Sequence, residues 1–181
     1  MTQDYTVHMA PPASKTEAAG QVWLLPWLIA LAIYRFWRIY VMDRYGKGAR
    51  AERELLAYFK NLGYSVIRSA GSGVNSISPD IIVMKGRAGF AFECKAWDNG
   101  RLQIDHEKFR ELRSWEDNTM LEVYMAWRVS NDGWYFIKPS EMAMGDRYCS
   151  VTMRSARQIG RRMESLVQQA EVQNCQAPPN A

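Results

Sequence analysis

Two short apolar runs, Ile81–Met84 and Phe90–Phe92, stand on either side of the turn Gly86–Gly89. Nothing in the chain restricts the fold more. The pattern predicts strands over Asp80–Lys85 and Phe90–Lys95, paired as neighbours through the glycine-flanked turn. An apolar strand beside another apolar strand belongs in the middle of a sheet, and in a chain that also contains helices both faces of such a sheet are covered. Yet this hydrophobic centre carries charge. Asp80 stands at the mouth of the first strand, and Glu93 and Lys95 alternate with Phe92 and Cys94 in the second.

The surrounding pattern supplies the rest of an α/β domain. Ala49–Leu62 reads as a helix with the stripe Leu55, Leu56, Phe59 and Leu62, stopped by Gly63. Tyr64–Ala70 reads as a strand and Gly71–Pro79 as a Gly/Ser-rich loop. Asp105–Trp115 reads as a helix and Met120–Val129 as a strand. Asn131-Asp132-Gly133 marks a hairpin turn into Trp134–Lys138, and Ser155–Val172 reads as one helix. The expected architecture is α/β, a central mixed β-sheet flanked by helices.

Before this domain, residues 1–20 are polar and Pro/Ala-rich and read as disordered. Residues 21–41 are hydrophobic but include Arg35 and Arg38. Three readings of that segment are open: a membrane anchor, a helix packed on the domain or a partner, or an extension from an upstream start, with Met42 the true beginning. The boundaries expected are therefore 1–20, 21–41, a domain over 42–172 and a flexible tail over 173–181.

Composition narrows the chemistry. A formal net charge of +4 and a pI near 9.0 favour a polyanionic partner. The three cysteines, Cys94, Cys149 and Cys175, fit no zinc spacing and suit a reduced, cytoplasmic setting, or a membrane-associated one if residues 20–41 are an anchor. With only His8 and His106, a His-rich metal site or a Ser-His-Asp triad has almost no material.

Each charged residue of the centre has two readings. Glu52 lies three residues before Leu55, beside the helix's apolar stripe. It is either a metal ligand or an edge carboxylate paired with an arginine or a backbone N–H. Asp80 is either a ligand or a turn aspartate serving local N–H groups. Glu93 and Lys95 are either site residues or a solvent-facing ion pair. Together they form a coherent set. Asp80 and Glu93 converge from neighbouring strands, Glu52 approaches from a helix packed on the Glu93 face, and Lys95 adds a cation. Mg²⁺ suits one or two carboxylates and several waters. Metal and lysine would supply an activated water and charge stabilisation for phosphodiester hydrolysis.

Pro79-Asp80 followed by Glu93-Cys94-Lys95 resembles the PD-(D/E)xK nuclease superfamily, whose fold is restriction-endonuclease-like. Four segments resemble the archaeal-type Holliday-junction resolvases more specifically: Lys47–Leu55, Gly63–Gly73, Pro79–Ile82 and Gly133–Ile137. The resemblance implies that Glu52, Asp80 and Glu93 hold Mg²⁺, with Mn²⁺ able to substitute, and that Lys95 stabilises the transition state. It implies a contribution from a loop serine, Ser72 by position with Ser69 close by. It implies phosphate contacts by Lys47, Arg53, Arg68 and Ser69; solvated surface charge is the alternative for the basic three. The implied activity is Mg-dependent paired nicking of four-way junction DNA by a homodimer, in recombination and repair. The alternatives are a restriction-type or repair nuclease on duplex, flap or ends, and a non-catalytic or membrane-anchored DNA-binding protein. One departure is local: many members carry Glu-Gln in the helix after the Glu-x-Lys strand, where this chain has Glu107-Lys108.

Overall fold

In the computed structural model, residues 24–69 and 78–175 are described, the side chains of 24–27 and 36–45 excepted. The expectations for residues 1–20 and for Ser72, and most of the Gly/Ser-rich loop, lie outside the described residues. So does the end of the expected tail, beyond Cys175.

The chain forms two compact units, Met1–Met42 and Asp43–Ala181. In the first, Leu28, Ile29, Leu31, Ile33 and Tyr34 are exposed on a helix. Among the described residues no helix is long and apolar enough to cross a membrane.

The second unit is built on a five-stranded mixed sheet. Its strands are β1 (Ser65–Arg68), β2 (Ile81–Lys85), β3 (Ala88–Ala96), β5 (Glu122–Val129) and β6 (Gly133–Ile137), in the order β1-β2-β3-β5-β6. Only the β3–β5 pair is parallel. It is joined through β4 (Arg101–Asp105) and helix α2 (His106–Thr119), as a parallel crossover requires. The β2–β3 turn expected at Gly86–Gly89 is tight, with Gly86 at φ +63°.

Each face of the sheet has its own core. On one, Phe90, Phe92, Tyr124 and Phe136 pack against Ala51, Leu55 and Phe59 of helix α1 (Leu24–Asn61). Those three α1 residues recur every four positions, so one narrow stripe is fully buried. Leu56 lies at its margin and Leu62 is exposed past the helix end. Leu166 and Ala170 of helix α4 (Met163–Cys175) complete this face. On the other face, Ala91, Val123, Met125, Trp127 and Tyr135 meet Leu112 of α2 and Ala156 of helix α3 (Met153–Ile159). Leu102, Ile104, Cys149 and Val151 join them.

Those last four residues belong to a second, antiparallel sheet, order β4-β8-β7, with β7 (Ala143–Met144) and β8 (Tyr148–Thr152). The sequence reading does not foresee it. The expected single helix over Ser155–Val172 is also corrected. It is two helices, α3 and α4, parted where Arg161 exchanges backbone hydrogen bonds with Phe136, both 2.9 Å. Arg161 is pinned there by a paired contact with Glu141, and Arg162 stacks 3.9 Å over the Tyr135 ring. The helical part then continues through Cys175, so residues 173–175 of the expected tail are helix.

Candidate active site

The β2–β3 register sets the site. Ile81 pairs with Phe92, so the antiparallel ladder carried one residue further brings Asp80 beside Glu93. Asp80 is locked on both ends. Its backbone carbonyl accepts the Ser69 N–H at 2.9 Å, and its Oδ2 accepts the Cys94 N–H at 2.8 Å. Burial first, and then the charge of Glu93, push the Asp80 pKa up to about 6; the Cys94 N–H and the Lys95 ammonium act the other way.

Glu93 is the one charged residue among those described that is fully buried, at 4% exposure. It is not a solvent-facing ion pair. A carboxylate in that position needs cations around it. Lys95 Nζ donates to Oε1 at 2.6 Å. The Nζ of Lys108, from the first turn of α2, lies 3.0 Å from Oε2, close enough for an ion pair but without the alignment of a hydrogen bond. Burial alone would lower the Lys95 pKa, but the charge and hydrogen bond of Glu93 outweigh it and hold the ammonium protonated.

Glu52 arrives differently from the expectation. Helix α1 packs on the Phe90–Phe92 face, whereas Glu93 and Lys95 alternate onto the opposite face with Ala91. A strand buried on both sides leaves the choice of face to the tertiary packing. Glu52, beside the buried stripe of α1, takes Arg68 of β1 as its partner, at 2.8 Å from Nε and 2.6 Å from Nη2. This is the edge-carboxylate reading given above. Its charge still reaches the strand mouth, adding to the upward push on Asp80.

The remaining expected residues that are described fall at separate places. Ser69 Oγ is 2.7 Å from Ser78 Oγ, beside the start of β2. Lys47 lines a cleft of about 240 Å³ together with Arg50, Trp97 and Arg128. Arg53 is exposed on α1. Lys108 was visible in the sequence only as a departure at one helix position. Asp105 caps α2 by accepting the Lys108 N–H at 2.7 Å, which aims this turn at Glu93.

Asp80 and Glu93 present hard oxygen donors, and Asp80 is held above the usual carboxylate range by burial first and then by the charge of Glu93. Both features fit a small divalent cation that binds through one or two carboxylates and retains waters. Among the described residues, no group of three His, Cys, Asp or Glu side chains is placed to hold a metal ion.

Residues 43–175 match the family model described as archaeal Holliday junction resolvase (Hjc). Among curated proteins, the chain is 33% identical over 91 residues to a crossover junction endodeoxyribonuclease Hjc of Archaeoglobus fulgidus, covering 50% of this chain and 67% of that one. It is 34% identical over 99 residues to the protein of that name from Methanocaldococcus jannaschii, covering 53% and 68%. The crystal structure of Archaeoglobus fulgidus Hjc, a Holliday junction resolvase, superposes with a TM-score of 0.60 at 24% identity, over 67% of this chain and 96% of that one. The central mixed sheet with flanking helices is thus the fold of that protein.

Proposed function

The chain belongs to the archaeal Holliday junction resolvase family, and from that premise we propose that it is a structure-selective endonuclease that resolves four-way DNA junctions by paired nicking. The observation that carries this reading is the partly buried Asp80 beside the buried Glu93, with Lys95 hydrogen-bonded to Glu93 at 2.6 Å. Such an arrangement suits phosphodiester hydrolysis, because carboxylates able to hold a cation stand next to a fixed positive charge.

Divalent-metal dependence accompanies this reading, with Mg²⁺ the proposed ion and Mn²⁺ a substitute. Asp80 and Glu93 would hold it, and Glu52 would join them only on release from its ion pair with Arg68. Bound there, the ion would lower the pKa of a water and offset phosphate charge. The chain's own residues do the rest. Cys94 N–H and the Ser69–Asp80 hydrogen bond fix the Asp80 carboxylate before any ligand arrives. Lys95 stays protonated and meets the charge that develops on the phosphoryl oxygens. Ser69 or Ser72 of the neighbouring loop contributes a hydroxyl. Lys47, Arg53 and Arg68 supply phosphate contacts that do not depend on sequence, so that DNA shape selects the substrate. A two-fold homodimer would set two identical sites on the two equivalent strands of a junction. The cytoplasm is the proposed place of action.

The test uses a synthetic four-way junction and a linear duplex of matched sequence, each with Mg²⁺ and with chelator. Symmetrical, metal-dependent nicking of the junction alone is expected. Cleavage of the duplex or of its ends at a comparable rate would favour a restriction-type or repair nuclease. Binding without cleavage of either would make the protein a DNA-binding module.

A further inference from the structure

Glu93 has an ammonium at each oxygen, and the two lysines are held differently. Lys95 makes a hydrogen bond to Oε1 from the same strand. Lys108 reaches Oε2 at 3.0 Å from a different element, and its Nζ is also 3.4 Å from the Ser78 carbonyl and 3.8 Å from Glu111 Oε2. Among the described residues, no partner other than Lys108 stands at Oε2, which is buried and accepts no hydrogen bond from them. The backbone of Lys108 is fixed by the Asp105 cap, so only its flexible stem need move for the ammonium to leave.

A small divalent ion would bind a carboxylate oxygen at about 2.0–2.1 Å. It would approach Oε2 through the space that the Lys108 ammonium fills, and the two cations repel. The displaced ammonium has somewhere to go. Lys108 and Lys95, against the single carboxylate of Asp105, line a cleft of about 300 Å³ that continues past Trp97, Gln103 and Tyr148. With both lysines facing it, that cleft suits a phosphodiester.

We propose that Lys108 is an internal counter-ion of Glu93 that a divalent metal must displace, and that the released ammonium then binds the phosphate of the DNA. The proposal rests on the metal-dependent reading given above. Its consequence is coupling. A phosphate in the cleft draws Lys108 from Glu93 and opens Oε2 to the metal; the metal frees Lys108 for the phosphate. By linkage each ligand strengthens the other.

The experiment titrates the full chain with Mn²⁺ in the absence of DNA, by electron paramagnetic resonance of free Mn²⁺. It compares wild type, Lys108→Gln and Lys108→Arg, with thermal unfolding to confirm that each folds. Lys108→Gln is expected to bind Mn²⁺ about tenfold or more tightly, the scale on which one adjacent ammonium changes a carboxylate's affinity for a cation. Lys108→Arg, which keeps the charge, is expected to stay near wild type. Single-turnover junction cleavage at saturating Mn²⁺ is expected to fall at least tenfold in Lys108→Gln. Unchanged or weaker Mn²⁺ binding in a folded Lys108→Gln protein overturns the counter-ion role. Tighter Mn²⁺ binding with an undiminished rate overturns the phosphate role. A wild-type protein that cuts no junction, while Lys108→Gln still tightens Mn²⁺ binding, would count against the resolvase reading and leave the counter-ion standing.

Discussion

The Asp80 carboxylate reaches across the β2–β3 pair and accepts the Cys94 N–H at 2.8 Å, so its position is set by the backbone of the very strand that presents Glu93. Burial at that place, and then the charge of Glu93, make the ionised Asp80 carboxylate costly in the metal-free protein. Because the folded-state pKa of Asp80 is raised to about 6 from 3.8, the fold binds this proton more tightly than the unfolded chain does. The stability it contributes is present below pH 4 and lost as pH rises through about 6. Asp80→Asn keeps an acceptor for Cys94 and removes the charge. With chelator at pH 8 the variant is expected to be more stable than wild type by about 1–3 kcal/mol. The gain should fade as pH drops towards 4. Urea unfolding at pH 8 and pH 4.5 checks this; equal or lower stability at pH 8 would refute the penalty that burial and Glu93 place on the Asp80 charge.

The same substitution should silence the enzyme. Asp80→Asn and Glu93→Gln are each expected to abolish junction cleavage while leaving junction affinity within a few-fold of wild type, as affinity comes chiefly from phosphate contacts. Gel-shift and cleavage assays on one junction measure both. Near-normal cleavage by Glu93→Gln with Mg²⁺ would move the catalytic centre elsewhere.

For Lys95→Ala the expected loss lies in the rate constant, by about 10²-fold or more, with little change in DNA affinity. A group that acts on charge developing in the transition state lowers turnover. Losses of equal size in binding and in rate would make Lys95 a simple phosphate contact.

The strands that carry these residues were legible because their signal is local. Ile81–Met84 and Phe90–Phe92 are apolar runs separated by a glycine-flanked turn, and a short turn enforces antiparallel neighbours. The face that α1 covers was not legible. Phe92 and Ala91 are both fully buried, so alternation along β3 does not say which side receives the helix. The small sheet was hidden for another reason. Arg101–Asp105 alternates exposed and buried over only five residues, and its partner Tyr148–Thr152 is distant in sequence. Lys108 escaped because a lysine in the first turn of a helix reads as a solvated charge until Glu93 is seen beneath it.

The break between α3 and α4 yields a stability prediction. A Cβ on Gly160 would lie 2.3 Å from the Ala156 carbonyl oxygen and 3.1 Å from the Tyr135 ring. The first is backbone and cannot swing aside. Gly160→Ala is expected to cost about 1–3 kcal/mol or more by forcing α3 from its seat. Thermal unfolding measures it, and an unchanged midpoint would mean that the helix end relaxes freely.

Helix α4 has a consequence for how the protein is made. Leu166 and Ala170 close the same sheet face as α1, and Asn174 Oδ1 accepts the Arg87 N–H at the tip of the β2–β3 hairpin. The strands bearing Asp80 and Glu93 therefore leave the ribosome well before the helix that seals them. Until that helix emerges, Phe90 and Tyr124 lack part of their cover, and the nascent chain holds a hairpin that α4 has yet to clasp. The fold around Asp80 and Glu93 would thus be completed only after α4 has been translated.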